Sequence, residues 1–299
     1  MTMSISESQL DTWSHQGSVT QSADTYQALT NVLERSDAHY AHRSYSTFLQ
    51  GSYGNDTNIY ADSDVDIVMR LDSIFYTDLS SLAESDKAAY ETNRSPAQYS
   101  WSEFRKEVIA QLTKVYGSSV QPGSKAIFVA GSGGRRDADV LPAAEFRRYF
   151  RYASPSDQNF AEGICFWLPD GTQIVNYPKR HSANCTAKHQ RTDFWFKPTV
   201  RILKNMRNAM IAKGRLAEGV APSYFVEGML YNVPDGNFGT TYGNTVVNAL
   251  NWLNGCDRSR LECANQLYLL LHPSSRVTWR KEQFEAFLTA LIGFWNDGG

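Results

Sequence analysis

Residues 51–71 read GSYGNDTNIYADSDVDIVMRL, and this stretch decides the fold of the 299-residue chain. Its second half, VDIVMRL, is β-branched and alternating, which is typical of a strand. Side chains two positions apart on a strand point to the same face, so Asp64 and Asp66 are expected to project together. Adjacent carboxylates repel each other unless a cation lies between them, and Mg²⁺ prefers oxygen ligands of this kind. The alternative interpretation is a surface hairpin with solvated acids.

A Gly-Ser pair opens the same stretch. Gly51 lets the backbone approach a triphosphate closely, and the Ser52 hydroxyl and nearby N–H groups can donate to its oxygens. The pair therefore favours a phosphate-binding role over a plain surface turn.

A third carboxylate completes the predicted site. The segment DADVLP, residues 137–142, offers two acids that lie two apart on a predicted strand. Asp139 is chosen because it immediately precedes Val-Leu-Pro, while Asp137 is interpreted as a solvated or arginine-paired acid. We predict that Asp64, Asp66 and Asp139 hold two Mg²⁺ ions, for which Mn²⁺ can substitute. Asp139 is also the expected general base on an attacking hydroxyl.

The pattern of apolar residues divides the chain into a mixed α/β lobe over 1–196 and a helical lobe over 197–299. The first ten residues are polar and are expected to be frayed. In the first lobe, helical spacing covers 19–49 and 80–116 (interrupted near 94–96), and strand patterns cover 65–71, 125–130, 138–141, 146–152, 163–168 and 172–175. In the second lobe, helical spacing covers 199–213, 222–231, 242–254, 259–271 and 280–296.

Composition limits the function. The formal net charge is −2, so the chain has no overall attraction for DNA, RNA or anionic lipid, and a small nucleotide is easier to hold than a long duplex. No apolar run approaches the ~20 residues of a membrane span, and the N-terminus lacks the features of a signal peptide. We expect a cytoplasmic protein with four reduced cysteines, no membrane association and no long nucleic acid as partner.

The helix that follows the boundary carries local positive charge. Lys197, Arg201 and Lys204 fall on one face, and Leu203 and Met206 fall on the opposite face. A solvated basic face is the ordinary alternative. Because an acidic metal site needs a triphosphate partner, the spacing favours a nucleotide-binding face.

The series GS, DSDVDIV and ADVLP resembles the polymerase-β-type nucleotidyltransferases, and within them the group of oligoadenylate synthetase, cGAS and the bacterial cGAS/DncV-like enzymes (CD-NTases). The segments FKPTVRILKN (196–205) and PSYFVE (222–227) agree, and the resemblance covers most of the chain from about residue 19 to 294. It implies a polymerase-β-like sheet lobe and a helical lobe, with the active site in the cleft between them.

Residue roles follow from the resemblance. Lys204 and Ser223 resemble the lysine and serine that hold a donor triphosphate, and Tyr224 resembles the tyrosine that stacks on a nucleobase. Asn176, after the strand Gln173-Ile174-Val175, lies close to where bacterial relatives place a base-reading residue. A turn asparagine is an equally good interpretation of that position.

The function implied is the Mg²⁺-dependent joining of ATP and GTP, or other NTPs, into a cyclic dinucleotide such as a cGAMP isomer, or a trinucleotide. The resemblance also implies anti-phage signalling, with regulatory or effector proteins of the same operon as partners, and we expect a monomer. The alternatives are a same-fold enzyme with another acceptor (linear oligoadenylate, RNA tailing, protein or drug nucleotidylation) and a non-catalytic nucleotide-binding module.

A second metal site is not expected. His181, Cys185 and His189 recur at four-residue intervals and would share a helix face. Zinc sites of this kind need a fourth ligand, which the pattern lacks, so a polar helix flank is the preferred interpretation.

Overall fold

The structure, a computed structural model, describes residues 5–17, 19–60 and 64–299. The chain forms two compact units, each built from separate stretches. The sheet unit comprises the described residues within Thr20–Gln50 and Ser63–Pro178, and the helical unit those within Met1–Val19, Gly51–Asp62 and Lys179–Gly299. The domain boundary near residue 197 stays a prediction.

One mixed sheet forms the sheet unit. Within the described residues its strands are β1 (Tyr45–Leu49), β2 (Val65–Asp78), β3 (Val120–Pro122), β4 (Ile127–Val129), β5 (Ala138–Ser154), β6 (Asp157–Trp167) and β7 (Gln173–Asn176). Their order is β1-β2-β5-β4-β3, and β6 pairs with β5 and β7. Strand β2 runs parallel to β5 and antiparallel to β1. Val65, Ile67, Val68 and Met69 are fully buried, because this strand lies inside the sheet.

Three helices accompany the sheet: α2 (Thr20–Leu33), α4 (Glu84–Asn93) and α5 (Trp101–Tyr116). Ser100 and Glu103 form a capping box at the start of α5, and Trp101 Nε1 donates to Pro142 O of β5 at 2.8 Å. The interruption predicted near 94–96 is confirmed. The helix predicted over 19–49 is wrong beyond Leu33, because Tyr45–Leu49 pairs with β2 instead.

The helical unit is built from α1 (Glu7–Ser14), α3 (Gly51–Gly54), α6 (Pro178–Arg191, from Lys179 onward), α7 (Phe196–Ala212), α8 (Ser223–Tyr231), α9 (Tyr242–Gly255) and α10 (Lys281–Asp297). Leu203, Met206 and Met210 of α7 are fully buried in its core, as the amphipathic pattern predicts. No helix in the described part of the chain is long and apolar enough to cross a membrane. All four cysteines are free thiols, as expected.

Two predictions about this unit are wrong. Residues 259–271 form a short 3-10 helix (Arg258–Arg260) and an irregular loop, in which Cys263 N donates to Tyr268 O at 2.9 Å. Its apolar residues mimic helical spacing because the loop buries Leu261, Cys263 and Leu270. The N-terminus is also ordered from Ile5: α1 is capped by Ser6, and Leu10 is fully buried, whereas residues 1–4 lie outside the described part.

Candidate active site

The three predicted metal ligands lie on, or immediately before, two neighbouring strands of the sheet unit. Asp66 of β2 and Asp139 of β5 are Cα partners in the parallel ladder, and Asp64 immediately precedes β2. Val65, between the two acids of β2, is fully buried, so alternation places Asp64 and Asp66 on the opposite face. The backbone therefore places the three acids at neighbouring positions of the sheet.

The electrostatics of this group fit a cation. Burial raises the pKa of Asp139 above its ordinary value, and the negative charge of Asp64 raises it further. Both effects disfavour an ionised carboxylate, and a divalent cation held between the carboxylates would reverse them. The donor set consists of carboxylate oxygens, which suits Mg²⁺ or Mn²⁺.

Asp137 has a different task. Its carboxylate Oδ1 accepts a hydrogen bond from Gly131 N at 2.6 Å, and its carbonyl accepts one from Val65 N at 3.1 Å. The acid therefore closes the turn between β4 and β5, and its carbonyl joins β5 to β2 beside the acidic group. Its interpretation as a solvated or arginine-paired acid missed this role.

Gly51 and Ser52 form the first turn of the short helix α3 in the helical unit. Gly51 has φ 65°, a left-handed conformation that glycine adopts without steric cost. The carbonyls of Gly51 and Ser52 accept hydrogen bonds from Asn55 N at 3.1 Å and Thr57 N at 2.9 Å. We call residues 51–58 the Gly-Ser turn.

The basic face of α7 binds this turn. Lys204 is fully buried, and its Nζ donates to Thr57 O at 2.9 Å. Arg201 Nη1 donates to Asp56 O at 2.6 Å, and Lys197 Nζ lies 2.9 Å from Asp56 Oδ2. The face is therefore not solvated. A direct contact of Lys204 with a triphosphate stays a prediction.

The other predicted nucleotide contacts lie at the start of α8. Ser223 Oγ accepts from Arg207 Nη1 at 3.2 Å. The guanidinium of Arg207 therefore lies beside the serine that is predicted to bind the triphosphate. Tyr224 stacks on His181, with ring centroids 4.5 Å apart and planes at 24°, and its hydroxyl accepts from Asn265 Nδ2 at 3.0 Å. In the sheet unit, Asn176 ends β7, opposite Ile164, and is half-buried.

Sequence reasoning missed Glu227 and Arg207. Glu227 lies fully buried in α8, where its carboxylate accepts from Thr57 and Asn55 and contacts His181. The available signal was an acid inside the apolar segment SYFVEGMLY. A buried acid in such a helix requires partners, and partners mark a built site.

The discounted trio His181, Cys185 and His189 does not converge. His189 Nδ1 accepts from Lys197 N at 3.3 Å, and burial together with Lys197 and Arg201 lowers its pKa to about 4. His181 and Cys185 instead group with Glu227, their candidate ligand atoms lying within 4.8 Å of one another. His181 and Cys185 therefore lie together as their spacing predicts, but the third residue of the group is Glu227 and not His189.

Comparison with known proteins identifies relatives of this chain. Residues 183–296 match the family described as the cGAS/DncV-like nucleotidyltransferase C-terminal helical domain. The cyclic UMP-AMP synthase of Rhodothermus marinus is 36% identical over 99% of this chain and 100% of its own length. The cyclic dipurine nucleotide synthase of Elizabethkingia meningoseptica is 38% identical over 82% of this chain and 84% of its own.

A solved structure agrees with the sequence comparisons. That of Rhodothermus marinus CdnE c-UMP-AMP synthase with Apcpp and Upnpp has a TM-score of 0.88, covering 98% of this chain and 97% of that one at 36% identity. Likeness at this identity over nearly whole chains shows common family and fold. The chain belongs to the bacterial cGAS/DncV-like nucleotidyltransferases, with their polymerase-β-like α/β fold.

Proposed function

We propose that this enzyme joins two nucleoside triphosphates into a cyclic dinucleotide and releases pyrophosphate. Family membership makes the chain a nucleotidyltransferase and a synthase of cyclic oligonucleotides. The observation that carries the proposal is the pairing of Asp66 with Asp139 in the parallel ladder, with Asp64 close enough to raise the pKa of Asp139, since nucleotidyl transfer with divalent metal requires neighbouring acids of this kind.

Asp64, Asp66 and Asp139 would hold the metal, which we propose to be two Mg²⁺ ions with Mn²⁺ as a substitute. When bound, such ions neutralise phosphate charge and stabilise the leaving pyrophosphate. Asp139 would accept the proton of the attacking ribose hydroxyl. That hydroxyl oxygen bonds to the α-phosphorus of the donor, and the bond between the α-phosphorus and the bridging oxygen breaks.

The chain would hold the donor triphosphate through Gly51 and Ser52, with Lys204 and Ser223 as further predicted contacts. The half-buried Tyr224, backed by His181, would stack on a base, and the Asn176 amide would read one. That the sheet unit and the helical unit serve one active-site cleft stays a prediction, as do a monomeric state and a cytoplasmic location.

The substrates are NTPs, and we propose ATP as one of them. The sequence prediction favours GTP as the second, giving a cGAMP isomer. Similarity to the Rhodothermus marinus cyclic UMP-AMP synthase favours UTP. Signalling in anti-phage defence, through an effector that binds the product, completes the proposal.

The test is direct. Purified protein is incubated with all four NTPs, one radiolabelled at a time, with Mg²⁺ or Mn²⁺, and then treated with phosphatase. A phosphatase-resistant small product supports the proposal, and mass spectrometry identifies its bases. Labelled protein or a ladder of linear products would identify the same fold with another acceptor, and absence of turnover would indicate a binding module. The Asp64→Asn and Asp66→Asn variants should fold and release no pyrophosphate.

A further inference from the structure

A buried polar cluster lies beneath the Gly-Ser turn in the helical unit. At its centre, Glu227 Oε2 accepts from Asn55 Nδ2 at 2.9 Å and lies 2.6 Å from His181 Nε2, while Oε1 accepts from the Thr57 hydroxyl. The side chains of His181 and Glu227 are each 2% exposed. A carboxylate removed from water in this way is stable only with such partners.

The charges in the cluster are matched. Burial alone would raise the pKa of Glu227, but hydrogen bonds from His181 and Thr57 and the charge of Lys204 lower it. Burial would lower the pKa of His181, but Cys185 and Glu227 outweigh it and raise the pKa to about 10. The contacts of Glu227 therefore favour its ionised form, which accepts from Asn55 and Thr57 and lies against His181.

The cluster reaches Gly51 and Ser52 by two short routes. Glu227 holds the side chain of Asn55, whose backbone N–H donates to Gly51 O at 3.1 Å. It also holds the side chain of Thr57, whose backbone N–H donates to Ser52 O at 2.9 Å. One carboxylate thus fixes both residues whose N–H groups hold the two carbonyls of the pair.

The turn needs this support because its backbone is strained. Asp56, a non-glycine residue, has φ 54°, and such left-handed conformations persist only where the surroundings enforce them. Lys197 and Arg201 hold Asp56, and Ser182 Oγ donates to Gly54 O at 3.2 Å. Every one of these donors comes from α6 or α7.

A metal ion is the competing occupant of the cluster, since His181, Cys185 and Glu227 could offer one ligand atom each. The hydrogen-bond pattern disfavours it. Both carboxylate oxygens of Glu227 already accept from donors, and His181 Nε2 faces Glu227 at hydrogen-bond distance. A zinc site would also need a fourth ligand beside the ammonium of Lys204, whose positive charge repels a cation.

We propose that Glu227 is a positioning residue that fixes Gly51 and Ser52 for triphosphate binding through Asn55 and Thr57. The inference rests on the proposed function, in which the Gly-Ser turn grips the triphosphate. The proposal adds a buried support, Glu227, to the Gly51-Ser52 pair that the sequence already indicated.

The experiment removes the bond without changing the shape of the side chain. Thr57→Val keeps the volume and loses the hydroxyl, whereas Thr57→Ser keeps the hydroxyl. We expect Thr57→Val to raise the Kd of a non-hydrolysable ATP analogue, and the KM for ATP, by about tenfold or more, because a charge-assisted hydrogen bond is lost. Since the contact is made in the ground state too, kcat at saturation should change by less than about threefold. Thr57→Ser should restore wild-type values.

Glu227→Gln provides the second variant. It should raise the Kd at least as much as Thr57→Val does, and combining the two should add little because both break the same link. Glu145→Gln is the matched control, because Glu145 is another buried acid, paired with Arg147 at 2.6 Å in the sheet unit. It should leave the Kd unchanged even where it lowers Tm.

The inference is overturned if Thr57→Val binds the analogue like wild type, if Thr57→Ser fails to restore binding, or if Glu145→Gln weakens binding equally. About one zinc per purified chain, lost in His181→Ala, would also overturn it in favour of a metal site. The failure of the proposed function is distinguishable, because it is measured on the wild type alone: wild-type protein that bound the analogue but formed no cyclic product from NTPs would overturn the function, whereas the inference depends only on the differences in Kd between variants.

Discussion

Replacing Asp139 by asparagine should stabilise the metal-free protein while abolishing its activity. Asp139 lies opposite Asp66 in a parallel ladder, and burial and the charge of Asp64 already raise its pKa. At a strand spacing of about 4.8 Å, two unit charges repel by roughly 1 kcal/mol in water and roughly 3 kcal/mol at an effective dielectric constant of 20. Because Asp139 is only half-buried, solvent screening favours the lower part of that range, about 1 to 2 kcal/mol.

The assay is a thermal melt in EDTA, compared with one in Mg²⁺. In EDTA the Asp139→Asn variant should melt about 2 to 8 °C higher than wild type, given about 2 to 4 °C per kcal/mol for a unit of this size. With Mg²⁺ at ten times its Kd, wild type should gain about 1.4 kcal/mol, and the variant should gain little. The two proteins thus respond to Mg²⁺ differently, while only wild type releases pyrophosphate.

Asp157→Asn is the control for Asp139→Asn. Asp157 lies on β6, paired with Arg151, which lowers its pKa. Its neutralisation should leave Tm unchanged or slightly lower in EDTA, with the Mg²⁺ response of wild type. If Asp139→Asn also melted at or below the wild-type temperature in EDTA, or stayed active with Mg²⁺, the assignment of a like-charge metal site would be wrong.

Two further predictions concern stability. The Glu7 carboxylate accepts from Tyr242 N at 2.6 Å and from Gly243 N at 3.0 Å, and so caps the start of α9. Glu7→Ala should lower the free energy of unfolding by about 1 kcal/mol, measured by urea titration, and an unchanged unfolding midpoint would show that Glu7 does not stabilise α9. The pKa of His181 is raised from 6.5 to about 10, so its contribution to the free energy of unfolding is full below pH 6.5 and is lost as the pH rises toward 10. The pKa of Glu227 is lowered from 4.5, so its contribution is lost as the pH falls below 4.5. The stability gap between wild type and His181→Asn should therefore narrow from pH 6.5 to 10, and a gap independent of pH would contradict the ion pair.

The acidic group could be predicted because it depends on local spacing. Asp64 and Asp66 need only the period-two geometry of one strand to share a face, and Asp137 and Asp139 repeat that pattern. The structure adds the register, which pairs Asp66 with Asp139 and gives Asp137 to a turn. Register depends on a neighbour over seventy residues away, so the sequence could choose between the two acids only by the position of Asp139 immediately before Val-Leu-Pro.

The buried cluster could not be predicted because its partners are remote in the sequence. Glu227 lies 170 positions from Thr57 and 46 from His181. The predictions of short or irregular elements were wrong for a related reason. Five residues of β1 and the loop after Arg260 have apolar spacing that also suits a helix, and only tertiary pairing decides between the two.

The composition of the cluster follows from what the Gly-Ser turn requires. Apolar packing would stabilise the helical unit more cheaply, because burying Glu227 and Lys204 removes two charges from water. Apolar contacts are not directional, however, and cannot fix the carbonyls of Gly51 and Ser52 against a strained backbone at Asp56. Charge-assisted hydrogen bonds are directional: Glu227 accepts from the Asn55 amide of the turn, and Lys204 donates to the Thr57 carbonyl. Hydrogen bonds to the buried Glu227 and from the buried Lys204 are therefore suited to hold a binding turn whose backbone is left-handed at Asp56.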